Sequence, residues 1–175
     1  MKLRTLRLRY FRCYKDEFRV DFDDLTAIVG LNDAGKSSLM DALDIFLNNG
    51  APDKDDASKG GNGKDLSIIC EFDDLPSSVV IDEQYPTTLN SEYLLNSSNR
   101  LEVHKTYSGH LASPKCTSIS LYCVHPTAES AKDLLHLSNK DLKKRMADLG
   151  VDPSGVDQKV NARMRQSIRN SLGDL

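Results

Sequence analysis

The sequence predicts an α/β fold with a mixed β-sheet that begins with an N-terminal β-hairpin. Apolar and charged residues alternate in two short stretches near the N-terminus, which is strand periodicity. A glycine-rich segment then separates an apolar run from a stretch with helical periodicity. Strand, glycine turn and helix in this order are typical of an α/β unit.

The hairpin is predicted from residues 6–10 and 18–22, in which every second residue is apolar. The polar residues 14–17 lie between the two stretches and suit a turn. In the first strand, Arg7 and Arg9 share one side, and we expect that side to face solvent.

The next predicted elements are a buried strand and a helix. Residues 25–29 read LTAIV, an apolar and partly β-branched run expected of a strand buried on both faces, and the run ends at Gly30. The stop signal Asn48-Asn49-Gly50 ends the helix that follows. Apolar residues recur in this helix at three- and four-residue steps: Leu39, Ala42, Leu43, Phe46 and Leu47.

The remaining sequence predicts a loop, three strands and three helices. Residues 51–65 are polar and glycine-rich without periodicity, so we expect a mobile loop. Alternation favours strands at residues 66–72, 101–107 and 116–124. The predicted helices run from Thr127 to Leu137, from a capping box at Ser138 and Asp141 to Gly150, and past Pro153 along an apolar stripe at Val156, Val160, Met164, Ile168 and Leu172.

Residues 30–37, GLNDAGKS, match the phosphate-binding pattern G-x-x-x-x-G-K-[ST] at every fixed position. Glycines allow a sharp turn and a close backbone approach, so that successive N–H groups at Asn32, Asp33, Ala34 and Gly35 can surround phosphate oxygens. The pattern predicts that Lys36 reaches the β- and γ-phosphates of a nucleoside triphosphate, most simply ATP. It also predicts that the hydroxyl of Ser37 ligates Mg²⁺ and that Ser38 donates to the α-phosphate.

Three further features have two interpretations each. Residues 79–83, VVIDE, suit a Walker B strand in which Asp82 holds Mg²⁺ through water and Glu83 orients the attacking water, or, more plainly, a surface turn or helix start. The arginines of residues 163–169 suit the solvated side of a helix or a DNA contact. Arg12 lies at the end of the first strand, where it can belong to a solvated face or fold back onto a bound nucleotide.

Residues 1–76 resemble the opening of SMC- and RecF-like ABC-type ATPases, and especially the OLD (overcoming lysogenisation defect) family of ATP-dependent nucleases. The resemblance lies in the hairpin, the pair Phe11-Arg12, the loop interior 32–34, the later strand LSIICEFDDLP, and the helix residues Ser38, Leu39, Ala42 and Leu43. It implies the first lobe of a P-loop ATPase head that binds ATP and Mg²⁺. It also implies that Arg12 lies beside the phosphates and that two heads dimerise around ATP.

By this resemblance, the complete protein is an ATPase that gates DNA processing, as an OLD-like endonuclease in phage defence or repair. The sequence contains no LSGG-like signature, no convincing Walker B and no acidic TOPRIM nuclease motif. We therefore expect an N-terminal part of a longer protein that binds ATP without turnover, with Lys36 and Arg12 contributing to catalysis only in the complete protein. Residues 1–125 form the expected N-terminal lobe, and residues 126–175 a helical segment.

Two alternatives remain open: a DNA-repair ATPase of the SMC or RecF type without a nuclease, and a regulatory nucleotide-binding module that signals to a partner protein. The net charge of −3 gives no argument for nucleic-acid binding by the chain as a whole. Four cysteines without a C-x-x-C pair suit reduced thiols and a cytoplasmic location, and no apolar run is long enough to span a membrane.

Overall fold

A computed structural model of the chain describes residues 1–31, 35–82 and 85–173. It contains two compact units, the first formed by Met1–Leu75 with Ser98–Tyr122 and the second by Pro76–Ser97 with Cys123–Leu175. Pro76–Ser97 thus groups with the C-terminal helices, whereas we assigned it to the N-terminal lobe from the sequence. The elements in chain order are β1 (Lys2–Arg9), β2 (Phe18–Asp21), α1 (Lys36–Leu47), β3 (Leu66–Asp73), β4 (Val79–Asp82), β5 (Tyr85–Thr87), β6 (Leu101–Tyr107), β7 (Cys116–Tyr122), α2 (Asn139–Asp148) and α3 (Asn161–Leu172).

The first unit is built on a five-stranded sheet in the order β2-β1-β3-β6-β7. The predicted N-terminal hairpin is present as β1 and β2. Every pairing among the described strands is antiparallel, so the prediction of a mixed sheet is wrong for this part of the chain. One row of cross-strand neighbours runs across all five strands: Val20, Leu6, Cys70, Val103 and Leu121.

One face of this sheet forms a hydrophobic core with α1. The predicted helical stripe is confirmed at Leu39, Ala42 and Phe46, which are buried against apolar side chains of β1 and β3. Lys105 of β6 closes the C-terminal end of the helix, where its Nζ donates to the carbonyl of Phe46 at 2.7 Å and to Asn49 Oδ1 at 2.6 Å. A cation at this end of a helix also interacts favourably with the helix dipole.

The opposite face of the sheet carries charged side chains that are paired with one another. Arg7 donates to Glu102 and lies 3.7 Å from Glu71, and both of these carboxylates are buried. The expectation that Arg7 faces solvent is therefore wrong, because acidic side chains of β3 and β6 cover it. Arg9 remains exposed at the end of β1, as expected.

The predicted buried strand at residues 25–29 is not present. Leu25 is 92% exposed and Val29 is 88% exposed, and the segment pairs with no described strand. An apolar run is buried only where another layer of the fold covers it. The strands of the antiparallel sheet come from other segments of the chain, and residues 25–29 are not among them. Ile28 alone in this run packs partly against the core of the first unit.

The loop at residues 51–65 contains no strand, but hydrogen bonds anchor part of it to the end of β1. The amide of Ser58 donates to the carbonyl of Tyr10 at 2.9 Å, and the amide of Arg12 donates to the carbonyl of Asp56 at 2.6 Å. Asp56 and Ser58 are buried as a result.

The second unit contains the hairpin of β4 and β5 together with α2 and α3. The predicted N-cap at Ser138 is confirmed, since the amide of Asp141 donates to Ser138 Oγ at 3.3 Å, and the Ser138 hydroxyl donates in turn to Asp141 Oδ2 at 2.6 Å. The predicted helix up to Leu137 is reduced to turns and the three-residue 3-10 helix Leu134–His136. The core of this unit consists of Ala131, Leu134, Leu142, Met146, Met164 and Ile168.

The interpretation of residues 163–169 as the solvated side of a helix is wrong for two of its three arginines. Arg165 and Arg169 are buried beside the apolar stripe of α3, whereas Arg163 is exposed. Positions 165 and 169 follow Met164 and Ile168 directly and therefore widen the buried side of the helix.

No helix in the described ranges combines the length and the apolar character needed to cross a membrane.

Candidate functional site

The candidate site is the loop that enters α1. The helix begins at Lys36, and Gly35 precedes it with a left-handed backbone at φ 88°. The first turn of α1 contains no acidic residue, and no described side chain caps its N–H groups. Such a terminus favours an anion through its free donors and the positive end of the helix dipole. Asn32, Asp33 and Ala34, predicted to line the loop, lie outside the described residues.

Lys36 folds back across the beginning of the loop. Its Nζ donates to the carbonyl of Gly30 at 2.7 Å and to the carbonyl of Leu31 at 2.6 Å. These partners are neutral, and no carboxylate is bonded to this ammonium group among the described residues. Its positive charge is therefore not compensated, and phosphate oxygens are stronger acceptors for it than neutral carbonyls.

The conformation of Gly35 and its surroundings explain the second glycine of the motif. A side-chain Cβ at this position would lie 2.6 Å from the hydroxyl oxygen of Tyr14 and 2.8 Å from Cys13 Sγ. The Tyr14 hydroxyl donates to the carbonyl of Gly35 at 3.2 Å, and the Tyr14 ring stacks on Phe18 with 4.5 Å between centroids. The turn after β1 thus packs on the start of α1, a role for Tyr14 that no motif in the sequence indicated.

Arg12 lies close to α1 but is held by acidic side chains. Its Nε donates to Asp56 Oδ1 at 2.7 Å, and its Nη1 donates to Asp41 of α1. The residue has a left-handed backbone, with φ 48°. The structure thus places Arg12 beside α1, with its guanidinium bonded to two carboxylates, and one of these, Asp41, lies five residues after the helix start at Lys36.

The two serines of the motif differ in exposure. Ser37 is exposed in the first turn of α1, and Ser38 is buried. Throughout the described ranges, no group of three His, Cys, Asp or Glu side chains is arranged to hold a metal ion. A metal at this loop would therefore depend on Ser37 and on oxygens that a ligand supplies.

The Walker B alternative at residues 79–83 falls in the second unit. Asp82 ends β4, which pairs only with β5 among the described strands. Its carboxylate accepts from Arg165 Nη2 at 2.7 Å and from Asn161 Nδ2 at 3.4 Å. Burial by itself would raise the pKa of Asp82, but the bonds from Arg165 and Asn161 lower it below its ordinary value. Glu83 lies outside the described residues.

A glycine-led loop at an uncapped helix start, beside a β-sheet, is an arrangement that nucleotide-binding proteins use. The model of the AAA ATPase domain family matches residues 1–173, and the chain belongs to this family.

Two curated proteins show weaker similarity. The DNA replication and repair protein RecF of Cyanothece sp. is 26% identical over 140 residues, which cover 77% of this chain and 36% of the RecF protein. The chromosome partition protein Smc of Halobacteriovorax marinus is 48% identical over 44 residues, which cover 25% of this chain and 4% of the Smc protein. The chain therefore matches about a third of the first relative and a small part of the second.

Proposed function

We propose that this chain is the ATP-binding domain of an ATPase that acts on DNA in replication, repair or chromosome maintenance. The observation that carries this proposal is Lys36, whose uncompensated ammonium lies over the loop at the uncapped start of α1. A triphosphate supplies the anionic oxygens that this arrangement lacks.

The residues at the loop suit ATP with Mg²⁺. Gly35 has the left-handed backbone that the turn into α1 requires, and a Cβ there would clash with Tyr14 and Cys13. Ser37 is exposed beside Lys36 and offers a hydroxyl oxygen, the ligand type that Mg²⁺ prefers. Bound Mg²⁺ would neutralise phosphate charge, while Lys36 and the N–H groups of α1 hold the phosphates.

The DNA-related role is supported by the two curated relatives, whose names refer to DNA replication and repair and to chromosome partition. We propose that the whole protein couples ATP binding to DNA processing and assembles as a homodimer or higher homo-oligomer through its ATPase domain. A regulatory module that signals to a partner protein would bind ATP equally well but would show no ATP-dependent affinity for DNA.

A nuclease of the OLD type is a second candidate. It is favoured by the pair Phe11-Arg12 after β1 and by the strand β3, which are part of the resemblance to that family. Incubation of the whole protein with supercoiled plasmid, ATP and Mg²⁺ distinguishes the candidates, because only a nuclease nicks or linearises the DNA.

The 175-residue chain is expected to bind ATP saturably and to hydrolyse it little or not at all. Phosphate contacts from Lys36 and the start of α1 provide binding, but the described residues place no carboxylate to orient an attacking water. Calorimetric titration with ATP, with and without chelation of Mg²⁺, measures the binding, and phosphate release measures turnover. A titration without saturable heat would contradict the proposed function.

Replacing Arg12 with Ala is expected to weaken ATP binding by the chain, and ATPase activity of the whole protein, by ten- to a hundredfold. The resemblance to the OLD family implies that Arg12 contacts a phosphate, and one charge-assisted hydrogen bond of this kind contributes about 1.5–3 kcal/mol, which corresponds to this range. Arg9→Ala is the matched control, because Arg9 is exposed at the end of β1, three residues before Arg12, and its loss should cost close to nothing.

Arg7 is not a suitable control, because it pairs with the buried carboxylates of Glu71 and Glu102. Arg12→Ala also leaves Asp56 without its guanidinium partner, so thermal unfolding is measured beside ATP affinity. Arg12→Lys should restore stability better than affinity if the phosphate contact is bidentate. Equal and small losses of ATP affinity in Arg12→Ala and Arg9→Ala would show that Arg12 has only a structural role.

A further inference from the structure

The turn after β1 places one side chain directly against the start of α1. The Tyr14 hydroxyl donates to the carbonyl of Gly35 at 3.2 Å. An ideal Cβ at Gly35 would lie 2.6 Å from the same hydroxyl oxygen and 3.0 Å from the ring carbon that bears it. Tyr14 therefore contacts the peptide group at which the phosphate-binding pattern passes into the helix.

A closed turn holds Tyr14 in this position. The amide of Tyr14 donates to the carbonyl of Phe11 at 2.8 Å, and the amide of Phe11 donates to the carbonyl of Tyr14 at 3.0 Å. Phe11 is fully buried in the core of the first unit, and the Tyr14 ring packs partly against this core and stacks on Phe18. These contacts restrict the ring, so that its hydroxyl stays directed at Gly35.

The carbonyl of Gly35 also accepts the first hydrogen bond of α1, from the amide of Leu39 at 3.2 Å. This bond directs the carbonyl along the helix axis. Because a trans peptide group is planar, its N–H points opposite to its C=O. The N–H of this peptide group belongs to Lys36, and it therefore points out of the helix start, where the pattern binds phosphates.

Tyr14 and Leu39 thus donate to one acceptor and restrain one peptide plane. Gly35 has a left-handed backbone at φ 88°, and a glycine rotates more freely than any other residue. A peptide group next to a glycine therefore gains most from a restraint that lies outside the helix. Order that exists before a ligand arrives lowers the entropy cost of binding that ligand.

The Tyr14 hydroxyl remains a donor at neutral pH. Burial raises the pKa of Tyr14 above its ordinary value, and the neighbouring Cys13 raises it further. The hydroxyl thus keeps its proton, and the carbonyl oxygen of Gly35 accepts it in a hydrogen bond.

We propose that Tyr14 is a positioning residue for phosphate binding, because by holding the Gly35 carbonyl it directs the Lys36 N–H at the phosphates of ATP. This role rests on the proposed function, since the Lys36 N–H has phosphates to bind only if the loop binds ATP. Tyr14 acts on the ligand through the peptide group between Gly35 and Lys36 and not by direct contact.

The affinity test compares two variants that each remove one phenol hydroxyl. Tyr14→Phe keeps the ring and its stacking on Phe18 but removes the donor to Gly35. Tyr10→Phe is the matched control, because the Tyr10 hydroxyl is bonded to the exposed Arg9, at 3.4 Å, and not to the start of α1. Calorimetric titration of the whole chain with ATP and Mg²⁺ should show an affinity about two- to tenfold lower in Tyr14→Phe, the range for one neutral hydrogen bond, and an unchanged affinity in Tyr10→Phe.

NMR signals separate positioning from a loss of stability. The carbonyl carbon-13 signal of Gly35 reports hydrogen bonds to that oxygen, and it should move in Tyr14→Phe but not in Tyr10→Phe before ligand is added. The shift of the Lys36 amide signal on saturation with ATP should be smaller in Tyr14→Phe. Thermal unfolding is measured for both variants, since a purely structural role would lower the melting temperature without changing the response of the Lys36 amide to ATP.

The outcomes distinguish this role from the proposed function. Equal ATP affinities in Tyr14→Phe and Tyr10→Phe, with saturable binding by the wild-type chain, would overturn the role of Tyr14 and leave the proposed function in place. An unchanged Gly35 carbonyl signal in Tyr14→Phe would also overturn it, because the two residues would then not be bonded. A wild-type chain that binds no ATP would overturn the proposed function and the role of Tyr14 together.

Discussion

Replacing Lys36 with Ala is expected to lower the ATP affinity of the chain on the order of a hundredfold or more. Lys36 is the only cation within residues 30–37, and its ammonium already lies over the loop. Two lost charge-assisted hydrogen bonds correspond to at least about 3 kcal/mol, or roughly a hundredfold. Calorimetric titration with ATP and Mg²⁺ measures the change.

Lys64→Ala is the matched control for this prediction. Lys64 is exposed in the short 3-10 helix Gly63–Asp65 of the same unit, and its loss removes the same charge from the surface. The ATP affinity of the Lys64→Ala chain should remain within a factor of about two of the wild-type value, because isolated surface charges contribute little. Far-UV circular dichroism confirms that both variants are folded. An unchanged ATP affinity in Lys36→Ala would show that this loop is not the ATP-binding site.

Replacing Glu92 with Ala is expected to destabilise the second unit by about 3–5 kcal/mol. Glu92 is 1% exposed and lies between Arg165, also 1% exposed, and the buried Arg169. Removal of the carboxylate leaves two guanidinium groups buried with too few acceptors, which costs more than the net contribution of an intact ion pair. Urea unfolding followed by circular dichroism measures the loss.

Glu129→Ala is the control, since Glu129 is exposed and its ion pair among the described residues is with Lys132, three residues later. Such surface pairs contribute about 0–1 kcal/mol. If Glu92→Ala and Glu129→Ala change the unfolding midpoint equally, the buried network does not stabilise the unit. Glu92→Gln should fall between the two, because it keeps the shape of the side chain but not its charge.

The same network predicts a dependence of stability on pH. Burial alone would raise the pKa of Glu92, but hydrogen bonds from Arg165 and Arg169 lower it below the ordinary value. A lowered pKa in the folded state contributes stability above the unfolded value, which is about 4.3 for glutamate. This contribution is lost as the pH falls through the lower, folded value. The unfolding midpoint should therefore decline below about pH 4 in the wild-type chain and decline less in Glu92→Ala.

Local sequence patterns were sufficient to predict the elements whose formation depends on residues close together in the chain. The helix at Lys36–Leu47 follows from its apolar period, and the α2 start follows from Ser138 and Asp141. The glycine at position 35 in the loop pattern of residues 30–37 also predicts a turn there. Gly35 has the left-handed backbone that glycine adopts without strain.

Patterns that depend on a covering layer were less informative. The run at residues 25–29 has the composition of a buried strand, yet Leu25 and Val29 are exposed because no described strand pairs with it. Arg7 has the alternation of a solvated side chain, yet acidic residues from β3 and β6 surround it. Composition indicates what a side chain prefers, but the neighbours that satisfy the preference come from distant segments.

The buried ion network and the contacts of Arg12 were decided by tertiary structure in this way. Glu92 and Arg165 are 73 positions apart, and Arg12 and Asp56 are 44 positions apart, so no local period relates them. A charged side chain is exposed by default, since burial without a partner is costly. Only when folding brings the complementary charge within hydrogen-bond distance does burial become favourable. The sequence therefore determined the helix that follows the candidate loop, and the packing of the chain determined which arginines are buried in ion pairs and which remain exposed.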